Sequence, residues 1–467
     1  MTEGKFKIIS CPFKSRKNKF NIEISLKTAE KLNLPDKNII ILNCGARSLN
    51  ASITISSEPD LPDEVLRLSK NALEELLIPE NVEICVQVIE NGNIIKFGPI
   101  IGILTESFII QDHKKGLHIR EAFNCYAEAG HEIGGLIYIF GLNNIDLDNK
   151  RIFGYLPLMN DSAVINWQGQ WLPIPDAIHN RIKISPSSPE YKKLHEISKL
   201  IPSANIINRT TSVYKWKIQR VLRKDQRVQK YLPETLLFKG TDTLTEMLRK
   251  FPFIYLKPVG RSLGLGIIKI TKTGAYEYNA EYHSKDKSYL LRGNLTEIWP
   301  EVKKVMGKRA YIVQEGIPLA TYKGNIFDLR VSMQKDETGT WSLSRWKVRV
   351  AAPDRIVTNI SAKGTGAHIN MVLDSVFKED APQIMNDIKT ACLIICSAIE
   401  NKISGIGDIG IDIGITKDKK IYFIEANFRE LRLNGGSAED LENWESTFKK
   451  PIYYLNYLYK THLENHT

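Results

Sequence analysis

Residues Ile406–Asn427 read IGDIGIDIGITKDKKIYFIEAN, and this stretch decides what the C-terminal half of the chain is. From Ile406 to Ile415 the alternation is strict: Asp408, Gly410, Asp412 and Gly414 face one side of an extended strand, and Ile409, Ile411, Ile413 and Ile415 face the other. The aliphatic side belongs in a core. A polar turn, Lys417-Asp418-Lys419-Lys420, leads into Ile421–Asn427, where Phe423, Glu425 and Asn427 share a side, so the whole reads as a β-hairpin. With a four-residue loop Thr416 pairs with Ile421, and counting outward sets Asp412 opposite Glu425 and Gly410 opposite Asn427. Like charges at cross-strand positions repel unless compensated. A hard divalent cation taking oxygens from Asp412, Glu425 and Asn427 is the natural compensator, and magnesium fits best. The other readings of the same register are one protonated carboxylate, or two solvated ones at a sheet edge.

Upstream, the β-type run Phe253–Leu256 ends in Lys257-Pro258 and is followed by Gly260-Arg261-Ser262-Leu263-Gly264-Leu265-Gly266 and a second run, Ile267–Ile270. A glycine-rich loop between two strands is a hairpin flap. Its backbone N–H groups can approach phosphate oxygens, and Lys257 and Arg261 add positive charge. It is neither a Walker A loop nor a dinucleotide fingerprint, both of which need a helix after the glycines. Read alone, it is equally a mobile hairpin turn.

The chain around these motifs has 467 residues, 43% hydrophobic and 25% charged. At roughly 100 to 200 residues per domain, that length predicts about three domains of ordinary soluble composition and excludes disorder and fibrous repeats. The longest apolar candidate, Ala391–Ile399, is a buried-helix length, well short of the ~18 residues of a membrane span. Met1–Ser10 does not read as a secretory signal, and the expected location is the cytoplasm. Six scattered cysteines and nine histidines form no C-x-x-C or zinc spacing, which predicts buried thiols and an oxygen-bound metal. The net charge of +11 favours an acidic partner; nucleic acid is the less favoured class, because the basic clusters Lys14–Lys19 and Arg220–Lys230 are modest.

The organisation predicted is α+β and α/β in three parts. Residues 1–97 are β-rich, with runs Asn38–Leu42 and Val82–Ile89; helical spacing at Ser25–Leu32 and Leu66–Leu77 hints at a duplicated strand–helix–strand unit. Residues 98–205 form a small parallel α/β domain: strand Ile100–Leu104, helix Ile119–Glu128, strand Leu136–Phe140, then Arg151–Leu156, a loop over Trp167–Pro175 and a linker at Ser185–Pro189. Residues 206–467 are a mixed domain opening on a helix over Val213–Tyr231.

The order of these parts resembles the ATP-grasp superfamily, and the wording resembles its YheC/YheD family of endospore coat-associated proteins. The segments that carry the resemblance are Lys215-Trp216, Tyr231-Leu232-Pro233-Glu234-Thr235, Lys257-Pro258 with Ser262-Leu263-Gly264, Gln314–Leu319 and Phe327-Asp328-Leu329-Arg330-Val331. It covers most of 206–430 and implies an ATP-grasp C-terminal domain behind the two smaller ones. It further implies that Lys215 and Lys257 contact nucleotide phosphates beneath the flap residues Gly260, Arg261, Ser262, Gly264 and Gly266. Gln314, Glu315, Gly316 and Ile317 would form the hinge whose backbone reads adenine, and Asp412, Glu425 and Asn427 would hold magnesium. Arg330 and Arg349, with Lys257, would meet the transferred phosphoryl group and an acyl phosphate, and Asn359, Lys363 and Gly364–Gly366 would shape the acceptor site. Two departures stand out: Tyr214 replaces the Asp usual before the Lys-Trp pair, and Asn427 is followed by Phe428-Arg429-Glu430-Leu431-Arg432 without a Pro-Gly turn.

What the resemblance implies for function is an ATP-dependent carboxylate–amine ligase using ATP and magnesium, forming an amide through an acyl phosphate and releasing ADP and phosphate. Its partners would be a carboxylate and an amine, either of them a free molecule or part of a peptide or protein. No Ser/His/Asp or Cys/His constellation occurs, which suits chemistry done by positioning and charge. The alternative implied is a non-catalytic, ATP-binding structural protein of the spore coat.

Overall fold

The computed structural model describes residues 2–11, 20–35, 38–56, 61–90, 92–107, 122–160, 163–184, 188–202, 205–261, 264–284, 287–353, 355–356, 358, 364–430, 432 and 438–465. The β-rich N-terminal part is a closed seven-stranded barrel, in the order Thr2–Cys11, Val65–Ser69, Asn21–Ile24, Arg47–Ile55, Ile39–Cys44, Ile94–Phe97, Val82–Ile89. A strand–helix–strand–strand unit occurs twice in it, once with the helix Leu26–Lys31 and once with Lys70–Leu76. The second helix is shorter than the spacing predicts: Leu66 and Leu68 belong to the preceding strand, where both point into the barrel and are fully buried.

The middle sheet has a parallel centre, with Leu136–Phe140, Ile100–Leu104, Ala177–Asn180 and Ile206–Ile207 side by side. Its flank is antiparallel: Arg151–Asn160 pairs with Ala163–Pro173. That second strand corrects the loop expected over Trp167–Pro175. Trp167 and Trp171 lie four residue pairs apart on one side, opposite Pro157 and Phe153, so the tryptophans mark the face of a hairpin. The helix expected over Ile119–Glu128 runs Ala122–Glu132, and residues 119–121 lie outside the described ones. Of the linker expected over Ser185–Pro189, residues 185–187 lie outside the described ones and the rest opens a helix: Ser188 caps Pro189–Ile197, with proline in the first turn where its missing N–H costs nothing.

Beyond residue 206 stand two six-stranded sheets. The first runs Thr235–Leu237, Tyr311–Glu315, Phe253–Pro258, Ile268–Lys272, Tyr278–Ser284, Lys287–Gly293, covered on one face by helices Thr241–Lys250 and Leu295–Met306. The second runs Thr365–Ala367, Trp341–Val350, Asn325–Lys335, Asp408–Ile415, Ile421–Asn427, with Thr321–Tyr322 beside Asn325–Lys335. Helix Ala381–Glu400 packs on the aliphatic side of this sheet, so Ile409, Ile411, Ile413 and Ile415 meet Ile388, Ile395 and the buried thiols Cys392 and Cys396 in one core. The single helix expected over Val213–Tyr231 is two, Lys215–Leu222 and Gln226–Gln229, because Asp225 caps the second by accepting from Arg227 N. The final helix, Ala438–Glu464, returns to the middle sheet, where Trp444, Phe448 and Ile452 pack with Ile101, Tyr126 and Ile139.

Candidate active site

The hairpin pairs Asp412 with Glu425 and Gly410 with Asn427, as the count requires, but by a different route. Ile415, rather than Thr416, pairs with Ile421, which lengthens the loop to 416–420. A bulge between Asp412 and Ile413 then absorbs Ile424 and restores the register. Thr416 closes the turn instead, its N–H donating to the Lys420 carbonyl.

The two facing carboxylates each have cationic partners. Lys215, the first residue of its helix, pairs through Nζ with Glu425 Oε1. Arg330 and Arg349 both hold Asp412: Arg330 Nη2 lies 3.1 Å from Oδ2 and Arg349 Nη2 lies 2.9 Å from it. Burial alone would raise the Asp412 carboxyl; these two guanidinium groups outweigh it and hold the carboxyl below the usual range. Asp412 is therefore ionised and lies in an interior strand, which removes the protonated reading for it. Arg349 is fixed in turn by a two-pronged contact with buried Asp328, at 2.7 and 2.6 Å, and Thr358 Oγ1 donates to the same carboxylate.

Lys257 lies on the open face of the flap strand and donates through Nζ to Gln314 Oε1, whose amide donates to Thr235 Oγ1 at 2.9 Å. No carboxylate pairs with Lys257 among the described residues. Burial, and then the charge of Lys215, lowers its ammonium to about 8. Asn427 Nδ2 is buried with no hydrogen-bond partner among the described residues.

These groups line one cavity of about 410 Å³ between the two sheets. It contains Lys215, Lys257, Gly260, Arg261, Gly264, Gln314, Glu315, Ile317, Arg330, Arg349, Asp412, Glu425 and Asn427. Gly266 and Gly316 are not among its lining residues: the Gly266 carbonyl accepts from Tyr311 Oη at 3.0 Å, and Gly316 packs against Phe253. Ser262, Asn359 and Lys363 lie outside the described residues. At the expected hinge, Glu315 N–H donates to the Glu234 carbonyl and Gly316 N–H to the Phe253 carbonyl, so both donors are already used. Ile317 N–H has no backbone partner among the described residues.

Among the described residues no three His, Cys, Asp or Glu side chains converge as a metal site. The trio Asp412, Glu425 and Asn427 supplies two carboxylates and an amide oxygen, a hard donor set that fits magnesium, and among the described residues no hydrogen bond to the Asn427 amide nitrogen fixes which way that amide faces. Asp328 escaped the sequence reading although alternation put it on the same side as Arg330, two residues on. Asp408 also escaped it. It is fully buried and gathers Arg432, Arg181 at 3.3 Å and His179 at 3.4 Å. Arg181 also donates to the Glu430 carbonyl at 2.6 Å, and Asn208 to the Phe428 carbonyl at 3.0 Å. The segment after Asn427 is thus held by side chains of the middle sheet and its flank, where a Pro-Gly turn is absent.

A family model described as YheC/D like ATP-grasp matches residues 203–458. The chain belongs to the YheC/D-like ATP-grasp family, and its C-terminal part has the ATP-grasp fold. It is 24% identical over 401 residues to the endospore coat-associated protein YheD of Bacillus subtilis strain 168, covering 85% of this chain and 86% of that one. It is 24% identical over 269 residues to YheC of the same organism, covering 57% and 73%. Among solved structures it is similar to the VanG D-Ala:D-Ser ligase of Enterococcus faecalis, with a TM-score of 0.44, 11% identity and 78% of this chain against 99% of that one. The D-alanyl-alanine synthetase A of Vibrio cholerae gives a TM-score of 0.43 at 12% identity, with 79% and 99% covered. Among the described residues, no helix is long and apolar enough to cross a membrane.

Proposed function

We propose that the chain is an ATP-dependent ligase that joins a carboxylate to an amine through an acyl phosphate. The observation that carries this reading is the cavity between the sheets, where Lys215, Lys257, Arg330 and Arg349 face Asp412, Glu425 and Asn427. Bound magnesium ATP would supply the phosphoryl group, with the ion held by Asp412, Glu425 and Asn427. Lys257, fixed by Gln314, and Lys215 bind phosphate oxygens. Arg349, fixed by Asp328, and Arg330 stabilise the negative charge that moves onto the substrate carboxylate. Ile317 offers the hinge N–H to adenine, and the flap from Gly260 to Gly266 excludes water. Residues 1–97, 98–205 and 206–467 serve as barrel, middle domain and catalytic domain, and the protein works in the cytoplasm or at the forming spore.

A second reading is favoured by one observation: Asp412 and Glu425 are already paired with Arg330, Arg349 and Lys215, as in a site that binds nucleotide without turning it over. Such a chain would be a structural component of the spore coat. The test is magnesium-dependent ADP release with pooled amino acids and acidic peptides, in the parent, Glu425→Ala and Lys257→Ala. Release that requires an acceptor and is lost in both variants supports the ligase. Tight ATP binding with no release supports the structural reading.

A further inference from the structure

The hairpin of Arg151–Asn160 and Ala163–Pro173 leaves the middle sheet with a long free edge. Among the described residues, Ala163–Pro173 pairs with Arg151–Asn160 alone. Its 11 residues, AVINWQGQWLP, carry no charge, in a chain that is 25% charged. Edge strands are ordinarily kept from pairing by charge, above all by lysine. The edge strand Lys287–Gly293 of another sheet has that protection in Lys287 and Arg292. On Ala163–Pro173, Ile165 at 66% and Trp171 at 40% are exposed instead.

Within this edge lies a sequence that reads the same in both directions, Trp167-Gln168-Gly169-Gln170-Trp171. Two identical strands running antiparallel about a two-fold axis at Gly169 set Gly169 against Gly169, Gln168 against Gln170 and Trp167 against Trp171. Backbone polarity agrees with that register. Pro157 and Pro173 fall opposite Trp167 and Arg151. A proline cannot donate to a ladder, so these are the pairs whose backbone groups point away from the neighbouring strand, and every second pair between them does the same. The N–H and C=O groups of Gly169 and Trp171 therefore face outward, and neither N–H has a backbone acceptor beyond the hairpin among the described residues. Trp167 N–H, on the same side, is met at 2.8 Å by Asn166 Oδ1 of its own strand. The bulge of the hairpin falls at Ile165, so the register from Asn166 to Pro173 is unbroken. Trp167 is anchored to helix Ala122–Glu132, its Nε1 donating to Asn124 Oδ1 at 3.2 Å, whereas Trp171 stands exposed with the Arg151 guanidinium 4.1 Å from its ring centre. Self-pairing lays each exposed Trp171 beside the anchored Trp167 of the copy.

We infer that Trp167–Trp171 is the centre of a two-fold interface with a second copy of this chain, which joins the two middle sheets edge to edge. Charge argues for a copy: each chain carries +11, so two of them repel over most of their surface, and an uncharged strand is where they meet at least cost. A palindrome in step with the outward backbone groups is the self-complementarity that a two-fold contact requires and that a different partner has no use for. The inference does not depend on the ligase reading.

The test is sedimentation velocity of the full chain over a range of concentrations. The parent should form a dimer, and more tightly as salt rises from about 0.05 to about 0.5 M, because screening relieves the repulsion between like-charged copies. Gln168→Lys combined with Gln170→Lys sets lysine against lysine in both symmetry-related pairs and should weaken dimerisation about tenfold. Gln168→Glu combined with Gln170→Lys sets glutamate against lysine in both pairs and should restore the dimer, which a variant damaged in folding would not do. Leu290→Lys, on the other edge, should leave dimerisation unchanged. A parent that stays monomeric at every concentration would overturn the inference, as would a dimer indifferent to the double lysine variant. Failure of the glutamate–lysine variant to restore the dimer would refute the register centred on Gly169. Self-association that weakens with salt would mean that oppositely charged patches hold it, and would equally overturn the inference.

Discussion

Replacing Asp408 by alanine should be among the most damaging single changes in this protein, although Asp408 touches no part of the cavity. Its carboxylate is fully buried and meets Arg432, whose side chain is also buried, and Arg181 at 3.3 Å, while Gln334 donates to the other oxygen at 3.2 Å. His179 adds little charge, since burial holds it down to about 4 despite the neighbouring carboxylate. Removing one partner of a buried ion pair leaves the other uncompensated, which costs about 3–5 kcal/mol; among the described residues the Arg432 guanidinium then keeps the Phe448 ring at 4.8 Å and Tyr126 Oη at 3.4 Å, neither of them a charge. The assay is urea unfolding followed by tryptophan fluorescence, because Trp444 Nε1 donates to the Arg432 carbonyl and reports on this cluster. A double-mutant cycle of Asp408→Ala with Arg432→Met should give a coupling of about 2–3 kcal/mol, with the double variant recovering part of the loss. Burial alone would raise the Asp408 carboxyl, but the guanidinium charges of Arg432 and Arg181 outweigh it and hold the folded value below the unfolded one, so its contribution is complete above about pH 4 and fades as pH falls below that. The deficit of Asp408→Ala should accordingly be constant from pH 5 to 8 and shrink in acid. Single-variant costs that add to within about 0.5 kcal/mol would refute the reasoning.

Gly316→Ala should displace the hinge: an added Cβ would lie 2.1 Å from the Phe253 ring and 2.5 Å from its carbonyl oxygen, and backbone cannot yield as a flexible tip would. Overpacking of this kind costs about 1–3 kcal/mol, and calorimetry should show weakened ATP binding with a lowered Tm; unchanged values of both would count against it. Lys257 should make nucleotide affinity fall as pH rises through about 8, where the free ammonium deprotonates. Lys257→Arg should flatten that profile, and an unaltered slope in the variant would assign the pH dependence to another group. The stability sign is opposite: the folded value lies below the unfolded one, so the unfolded chain binds more protons between about 8 and 10, and stability should rise with pH there.

The hairpin register was legible because alternation and a polar turn constrain it, yet the sequence could not show that a longer loop and a bulge at Ile424 cancel. Two errors of one residue in opposite directions leave Asp412 facing Glu425, so a correct pairing can come from an incorrect turn. Asp328 was recoverable from the same alternation that exposed Arg330. The Asp408 cluster was not, since its members at 179, 181, 408 and 432 are brought together only by the docking of the middle sheet against the one that carries Asp412. Trp167 and Trp171 were misread because two tryptophans and two prolines imitate a loop when the partner strand, whose Phe153 packs edge-on to Trp171, is not in view.

The pairing of Lys215 with Glu425 bears directly on how the site changes charge. Asp412 and Glu425 face each other across the sheet, and the repulsion that predicted a cation between them is met by Lys215 on one side and by Arg330 and Arg349 on the other. Arg330 and Arg349 lie on neighbouring strands of the sheet that carries Asp412, and Arg349 is held by Asp328 as well, so neither leaves easily. Lys215 is different: it comes from a separate helix and, among the described residues, its ammonium pairs with Glu425 alone. On the proposed assignment of magnesium to this site, it is therefore the cation that would compete with the ion for Glu425. In Lys215→Met, magnesium without nucleotide should raise the Tm by more than it does in the parent, because a ligand stabilises in proportion to the logarithm of its affinity and the competitor is gone. Adding Glu425→Ala to that variant should abolish the gain. Equal magnesium shifts in the parent and Lys215→Met would mean that Glu425 does not serve the ion, and that the cross-strand carboxylates are compensated by the protein's own cations alone.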